Sequence, residues 1–404
     1  MPSPDCDLPS SANAIEAQVR DYFQRVYRPG AAQFHGIVHV AANPTNGMIA
    51  FSGPMMRASG GFPVSRIGLL APDGAVTLLG SDAANDSQPK WSPDGRRLAF
   101  LSDRDHGAGN FQLMIASADA IDRAAAPAPI AGEAVESFVW AADSGRILLQ
   151  SADAGADAAG SAATARIGGG DGGERPSWMP TVETGGHDGL WRRAHILDVE
   201  SGALQRVGAD GQNVWEADWC GPDAVVAITS ASPTEGGWYQ TEIAIAPAAG
   251  GAFERFAAPE VEIAGVTAAP DGKTIAAIEG RFHRTVQLGS LILYDRATGA
   301  AREPDIGAQV SALAWRDANR LFFAGFAAPG SVAGTLDIAS DTTVIEWRAS
   351  GTAGRKVPYA IPEGDYAVLV PGHAFDRYPY LARSTAAGEQ MLLDLTPPDL
   401  APVQ

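Results

Sequence analysis

Short apolar runs recur along this chain, each set off by a polar turn. Leu98-Ala99-Phe100-Leu101 follows Trp91-Ser92-Pro93-Asp94-Gly95. In such a turn proline presets φ, aspartate bonds nearby backbone, and glycine accepts positive φ. A run of four or five apolar residues between turns predicts a buried β-strand. The same phrase returns as Trp140 with Asp143-Ser144-Gly145 and Ile147-Leu148-Leu149, and as Trp219 with Pro222-Asp223 and Val225-Val226-Ala227-Ile228. It returns again as Ala268 with Pro270-Asp271-Gly272 and Ile275-Ala276-Ala277-Ile278, and as Trp315 with Asp317-Ala318-Asn319 and Leu321-Phe322-Phe323.

The steps from Trp91 to Trp140, Trp219, Ala268 and Trp315 are 49, 79, 49 and 47 residues. Ile49-Ala50-Phe51, placed 49 residues before Leu98-Ala99-Phe100, starts the series, and Tyr366–Val370 with Tyr378–Ala382 is a degenerate seventh copy. A second strand pair closes most copies, as in Ala194–Gly202 and Leu291–Gly299. Four strands per unit at a period of 40 to 50 residues predicts a β-propeller, because one small sheet cannot cover both of its faces and its neighbours must. The expected architecture is all-β: a seven-bladed β-propeller over residues 31–404, with a short N-terminal helix.

The helical pattern lies ahead of the ring. Residues 1–12 are polar and proline-rich and are expected to be disordered. Ile15, Val19, Tyr22, Phe23 and Val26 then fall on one helical face, with Asn13 and Glu16 spaced as a capping box and Pro29 as a stop. This predicts an amphipathic helix and linker over residues 13–30. Its stripe needs something to pack on, either a partner or the propeller itself.

The 79-residue step marks a long insertion, residues 151–190, inside the third blade. Its first part is rich in Ala, Gly and Asp and reads as a flexible loop. Its second part gathers Glu183, His187, Asp188, Trp191, Arg192 and Arg193. Loops on rigid scaffolds often carry function. An arginine there can meet a carboxylate in two-pronged fashion, and Glu183 or Asp188 can meet a free amino terminus. The alternative is a purely structural clamp between blades. Glu235–Tyr239 and Arg281–Arg284 occupy matching loops in the next two blades.

Composition narrows the classes. With 46% hydrophobic residues the chain is a folded one, and its formal net charge of −18 argues against phosphate-backbone binding, so no nucleic-acid partner is expected. Only Lys90, Lys273 and Lys356 are lysines, which reads as compositional bias toward arginine. The two cysteines, Cys6 and Cys220, suggest neither a disulfide nor a zinc site, and no metal or cofactor motif occurs. There is no secretory leader pattern and no long apolar run, so no membrane association is expected and the cytoplasm is the expected location.

Trp91-Ser92-Pro93-Asp94-Gly95 with Leu98–Arg104 resembles the blade motif of prolyl-oligopeptidase-family serine peptidases, above all the acylaminoacyl-peptidase branch, and also that of TolB-type propellers. The phrase Arg192–Gly202 after a long Asp-Gly-Trp-bearing loop, and the leading helix, favour the peptidase branch. That resemblance covers roughly residues 13–400. It implies a ring that docks to an α/β-hydrolase domain, with the helix packed on that domain, and admits only peptides or small acylated substrates. The hydrolase part would carry the catalytic Ser, Asp and His. No G-x-S-x-G elbow occurs in this sequence, and Ser331 between Gly330 and Gly334 has the wrong spacing. No catalytic residue is therefore expected in the chain. The competing reading is an independent TolB-like propeller that binds a protein or small ligand. The helix discriminates: a gating propeller presents its stripe to a partner, and a stand-alone module buries it.

Overall fold

A computed structural model describes residues 10–27, 33–56, 63–80, 84–107, 109–154, 156, 190–282, 286–350, 352–353, 357–374 and 377–397. After one helix, α1 (Ser10–Tyr27), the described residues form seven antiparallel sheets in sequence order. Each sheet is a meander from a single stretch of chain, so the molecule is a seven-bladed β-propeller. Blade two has three regular strands; Ile115 and Ala125 exchange two backbone hydrogen bonds and supply its fourth edge. In blade seven two short pieces, Thr352–Ala353 and Ile361–Glu363, share the innermost position.

The tryptophan register holds. Trp91, Trp140, Trp219 and Trp315, with Ala268, each end the first strand of a blade. The turn after it joins first and second strands. At Ser92–Gly95 the Gly95 N–H bonds the Ser92 carbonyl at 2.8 Å, and the Asp94 carboxylate accepts the Ser92 hydroxyl at 2.6 Å and the Arg96 N–H at 3.0 Å. Gly95 has φ of +71°, and a Cβ there would lie 2.5 Å from the Thr45 hydroxyl oxygen of blade one. The tryptophans also stitch blades together. The Trp140 indole N–H donates to the Lys90 carbonyl at 3.1 Å, and that of Trp219 to the Val139 carbonyl at 3.2 Å. Trp315 is only half-buried.

The core is divided into seven apolar clusters, one at every junction between neighbouring blades. The seventh sets Leu369, Leu381 and Leu395 of the last blade against Phe34, Val40 and Phe51 of the first. Among the described residues the ring therefore closes by packing, with no strand shared between its ends. The first strands of blades two to six all carry a register shift, which re-aims the residues that follow it.

Two boundaries differ from the sequence reading. The helix begins at Ser10, so Asn13 falls inside it rather than at its start; Glu16 is held by Arg20 one turn on, at 2.7 Å. The second strand of blade three runs to Asp153, three residues into the expected insertion, because its hydrogen bonding continues with Arg192 and Arg193.

Candidate functional site

An antiparallel meander puts its strand 1–2 and 3–4 connections on one face of the ring. The 2–3 loops and the crossings between blades go to the other. The long insertion is a 2–3 loop, so it belongs to this second face. So does α1. The chain after it meets the far end of the second strand of blade one, where the His35 N–H donates to the Pro54 carbonyl at 2.9 Å. Its Tyr22 hydroxyl bonds that of Tyr378, at the start of the third strand of blade seven.

On this face several large apolar side chains are exposed. Ile15 is 62% exposed, and Val19, Tyr22 and Phe23 are each 48% exposed; the Val26 side chain lies outside the described residues. Four further large apolar residues are exposed at the 2–3 connections of four successive blades: Leu190, Tyr239, Val286 and Phe326. Tyr239 follows the one-turn helix α2 (Glu235–Trp238), whose Trp238 is fully buried. The opposite face carries the charged aspartate turns, and its exposed Tyr366 is capped by the Arg320 guanidinium.

Of the residues expected in the insertion, Glu183, His187 and Asp188 lie outside the described residues. Trp191 is half-buried; its N–H donates to the Asp153 carboxylate at 2.8 Å and its carbonyl accepts the Asp153 N–H at 3.0 Å. Arg192 points into the blade. Its guanidinium grips Glu136 through two hydrogen bonds, 2.8 and 3.2 Å, and lies over the Trp215 ring of blade four at 5.2 Å. Only 2% of the Arg192 side chain is exposed, so it is committed to the interior. Arg193 pairs with Asp153 and with Glu133.

Behind Arg193 the fold assembles a group invisible in the sequence. Ser151 donates to Glu133, and its oxygen lies 3.2 Å from Nδ1 of His195. A serine, a histidine and an acid thus meet, but not as a catalytic triad. Ser151 is fully buried and its proton goes to the carboxylate, not to the imidazole. Burial, the largest influence on it, holds His195 below its usual pKa. The group locks the root of the insertion to the blade.

The inner wall presents a second polar group. Lys90 and Asp218 each precede the tryptophan of their blade, and Thr267 precedes Ala268. The Thr267 hydroxyl donates to Asp218, and the Lys90 ammonium donates to the Phe138 carbonyl. Burial pushes Asp218 up to about 6 and Lys90 down to about 8, with each charge opposing the other's shift. His39 of blade one, bonded to Ser52 at 3.0 Å, is pushed down to about 4 by burial and then by Lys90. The repeat register could have flagged Lys90 and Asp218, since both precede a tryptophan. Among the described residues no group of three His, Cys, Asp or Glu side chains could hold a metal ion. No helix among them is long and apolar enough to cross a membrane.

No family model matches the chain, and no curated protein does. Solved structures do. The acylaminoacyl peptidase of Pyrococcus horikoshii matches with a TM-score of 0.60 at 16% identity, over 90% of this chain and 52% of that one. The β-propeller domain of the Trilobed protease from Pyrococcus furiosus, described as having an open velcro topology, matches with a TM-score of 0.59 at 14% identity, over 91% of this chain and 100% of that domain. In fold, this chain is similar to a peptidase propeller. A puromycin hydrolase matches likewise, with a TM-score of 0.60 at 15% identity, over 91% and 54% of the two chains. The chain spans about half the length of the whole enzymes it matches.

Proposed function

We propose that this chain is a non-catalytic propeller that docks to an α/β-hydrolase domain and restricts that domain to small peptides or small acylated substrates. The observation that carries the reading is the set of exposed large apolar residues on one face, Ile15 and Val19 of α1 with Leu190, Tyr239, Val286 and Phe326. Soluble proteins seldom leave such a surface without a partner. Covering a few hundred Å2 of it contributes several kcal/mol at ~25 cal/mol per Å2, before ordering costs. A stand-alone module would bury the stripe. The fold likeness to propellers that make up half of peptidase chains supports the choice of partner. Size selection then needs only a rigid rim, which seven interlocked clusters provide. The residues at the root and tip of the insertion, Glu183, His187, Asp188, Trp191, Arg192 and Arg193, belong to this proposal as the rim over which substrate passes, with Arg192 in it as a structural anchor. The cytoplasm is the proposed location.

The test starts from the reading frame downstream of Gln404. A hydrolase domain with a G-x-S-x-G elbow encoded there, or on a neighbouring gene, should co-purify with the chain. The complex should cleave short chromogenic peptides and spare folded proteins. Val19→Glu with Phe23→Glu should abolish co-purification. A complex that survives that double change, or one that digests folded proteins as fast as peptides, would overturn the proposal.

A further inference from the structure

The turn between the first two strands of blade one, His39–Ala42 and Ile49–Met55, carries the dipeptide Asn46-Gly47. Both residues are exposed. Side-chain bonds shape the turn behind them. The buried Asn43 accepts the Thr45 N–H at 2.9 Å and the Asn46 N–H at 3.3 Å through its Oδ1. Its Nδ2 donates to the Gly95 carbonyl of blade two at 2.9 Å. The Asn46 side chain folds forward, and its Oδ1 accepts the Met48 N–H at 3.0 Å. That bond curls the side-chain amide over the Asn46–Gly47 peptide. Gly47 has φ of +74°, and no described residue accepts its N–H.

This arrangement favours attack of a backbone nitrogen on a side-chain amide. The nucleophile, Gly47 N, is flanked by no Cβ of its own, and its proton is held by no acceptor. The electrophile, Cγ of Asn46, is turned towards it. The Met48 N–H already points at the oxygen on which negative charge develops, as an oxyanion donor does. We propose that Asn46 is a site of spontaneous deamidation, with water as the only co-reactant. Gly47 N gives its proton to hydroxide and bonds Asn46 Cγ. The Cγ–Nδ2 bond breaks, and the nitrogen takes up a proton and leaves as ammonia. Water then opens the five-membered imide at either carbonyl, which gives aspartate or isoaspartate at position 46. Nothing is oxidised or reduced. The other asparagines lack the combination. Asn43 precedes Pro44, which has no N–H, and Asn213 is fully buried. Asn13, Asn85, Asn110 and Asn319 precede residues that carry a side chain. Isoaspartate adds a backbone carbon and takes the acceptor away from Met48, so it disturbs the turn that Asn43 ties to blade two.

Peptide mass spectrometry on the folded full chain, held at mildly alkaline pH, tests this. A gain of one mass unit should appear in the peptide that contains Asn46, and fragmentation should place it at position 46 and not at 43. The rate should rise in proportion to hydroxide, and a methyltransferase specific for isoaspartate should label the product. Because the fold supplies the Met48 donor, the reaction should run severalfold faster in the folded chain than in the same chain in urea. These comparisons use the unaltered protein, so they stand whether or not a variant folds. Asn46→Gln, which would need a larger ring, should remove the mass gain. An unmodified position 46, a reaction no faster in the folded than in the unfolded chain, or a mass gain that persists in Asn46→Gln would each overturn the proposal.

Discussion

The pair of Arg192 and Glu136 offers a quantitative test of what anchors the insertion. Replacing Arg192 with Ala takes from the buried Glu136 carboxylate the two hydrogen bonds that Arg192 donates, and removes the cation from the Trp215 ring. Both side chains are nearly inaccessible, at 2% and 7% exposure. Removing one partner of such a pair costs about 3–5 kcal/mol, mostly the penalty of a lone buried charge. Unfolding entropy of about 2.1 cal/mol/K per residue, over 404 residues, gives about 0.8 kcal/mol/K. The melting temperature should therefore fall by about 4–6 °C in a calorimetric scan near neutral pH. Replacing both residues, as Arg192→Met with Glu136→Leu, should cost clearly less than Arg192→Ala alone, because no charge is stranded. A fall of under about 1 °C for Arg192→Ala would refute the reasoning, since it would mean that the carboxylate finds water. A double variant as unstable as the sum of its singles would refute it too, since packing would then be the whole effect.

Three other outcomes are expected. Val19→Glu with Phe23→Glu should leave the melting temperature of the isolated chain within about 1 °C of the parent, since surface changes of this kind are usually near neutral; a larger fall would show that the stripe is packed after all. Gly95→Ala should cost at least about 1 kcal/mol in denaturant unfolding, because φ of +71° strains an L-residue and the new Cβ meets Thr45 and Asn43. Asp218 should titrate near 6 by carboxyl carbon NMR, and it should shape the pH dependence of stability. Its folded pKa lies above the unfolded value of 3.8, so its contribution is most favourable below 3.8 and is lost as pH rises through about 6. Asp218→Asn should flatten that part of the curve; an unchanged slope would place the carboxylate in open water.

Much of this was written locally in the chain. Pro93-Asp94-Gly95 and its copies shape their own turns, since the Ser92–Gly95, Ser92–Asp94 and Asp94–Arg96 bonds are local, although Asn43 and Ser144 from the neighbouring blades add bonds to Gly95 and Asp94. With the turns placed, the apolar runs had to be strands, and a period near 49 residues had to stack them as blades. The stripe of Ile15, Val19, Tyr22 and Phe23 was equally legible, because a helical face depends only on spacing. Whether that face is covered was not, since cover comes from distant chain. The same limit hid the true setting of Arg192, whose partners Glu136 and Trp215 lie 56 and 23 residues away. It hid the meeting of Ser151, His195 and Glu133, and the burial of Lys90 and Asp218 on the inner strands. Sequence determined the repeat, its turns and its register through short-range stereochemistry. Only the closed ring decided which charges are buried and which apolar residues stay bare, because burial is set by neighbours that arrive from elsewhere in the chain.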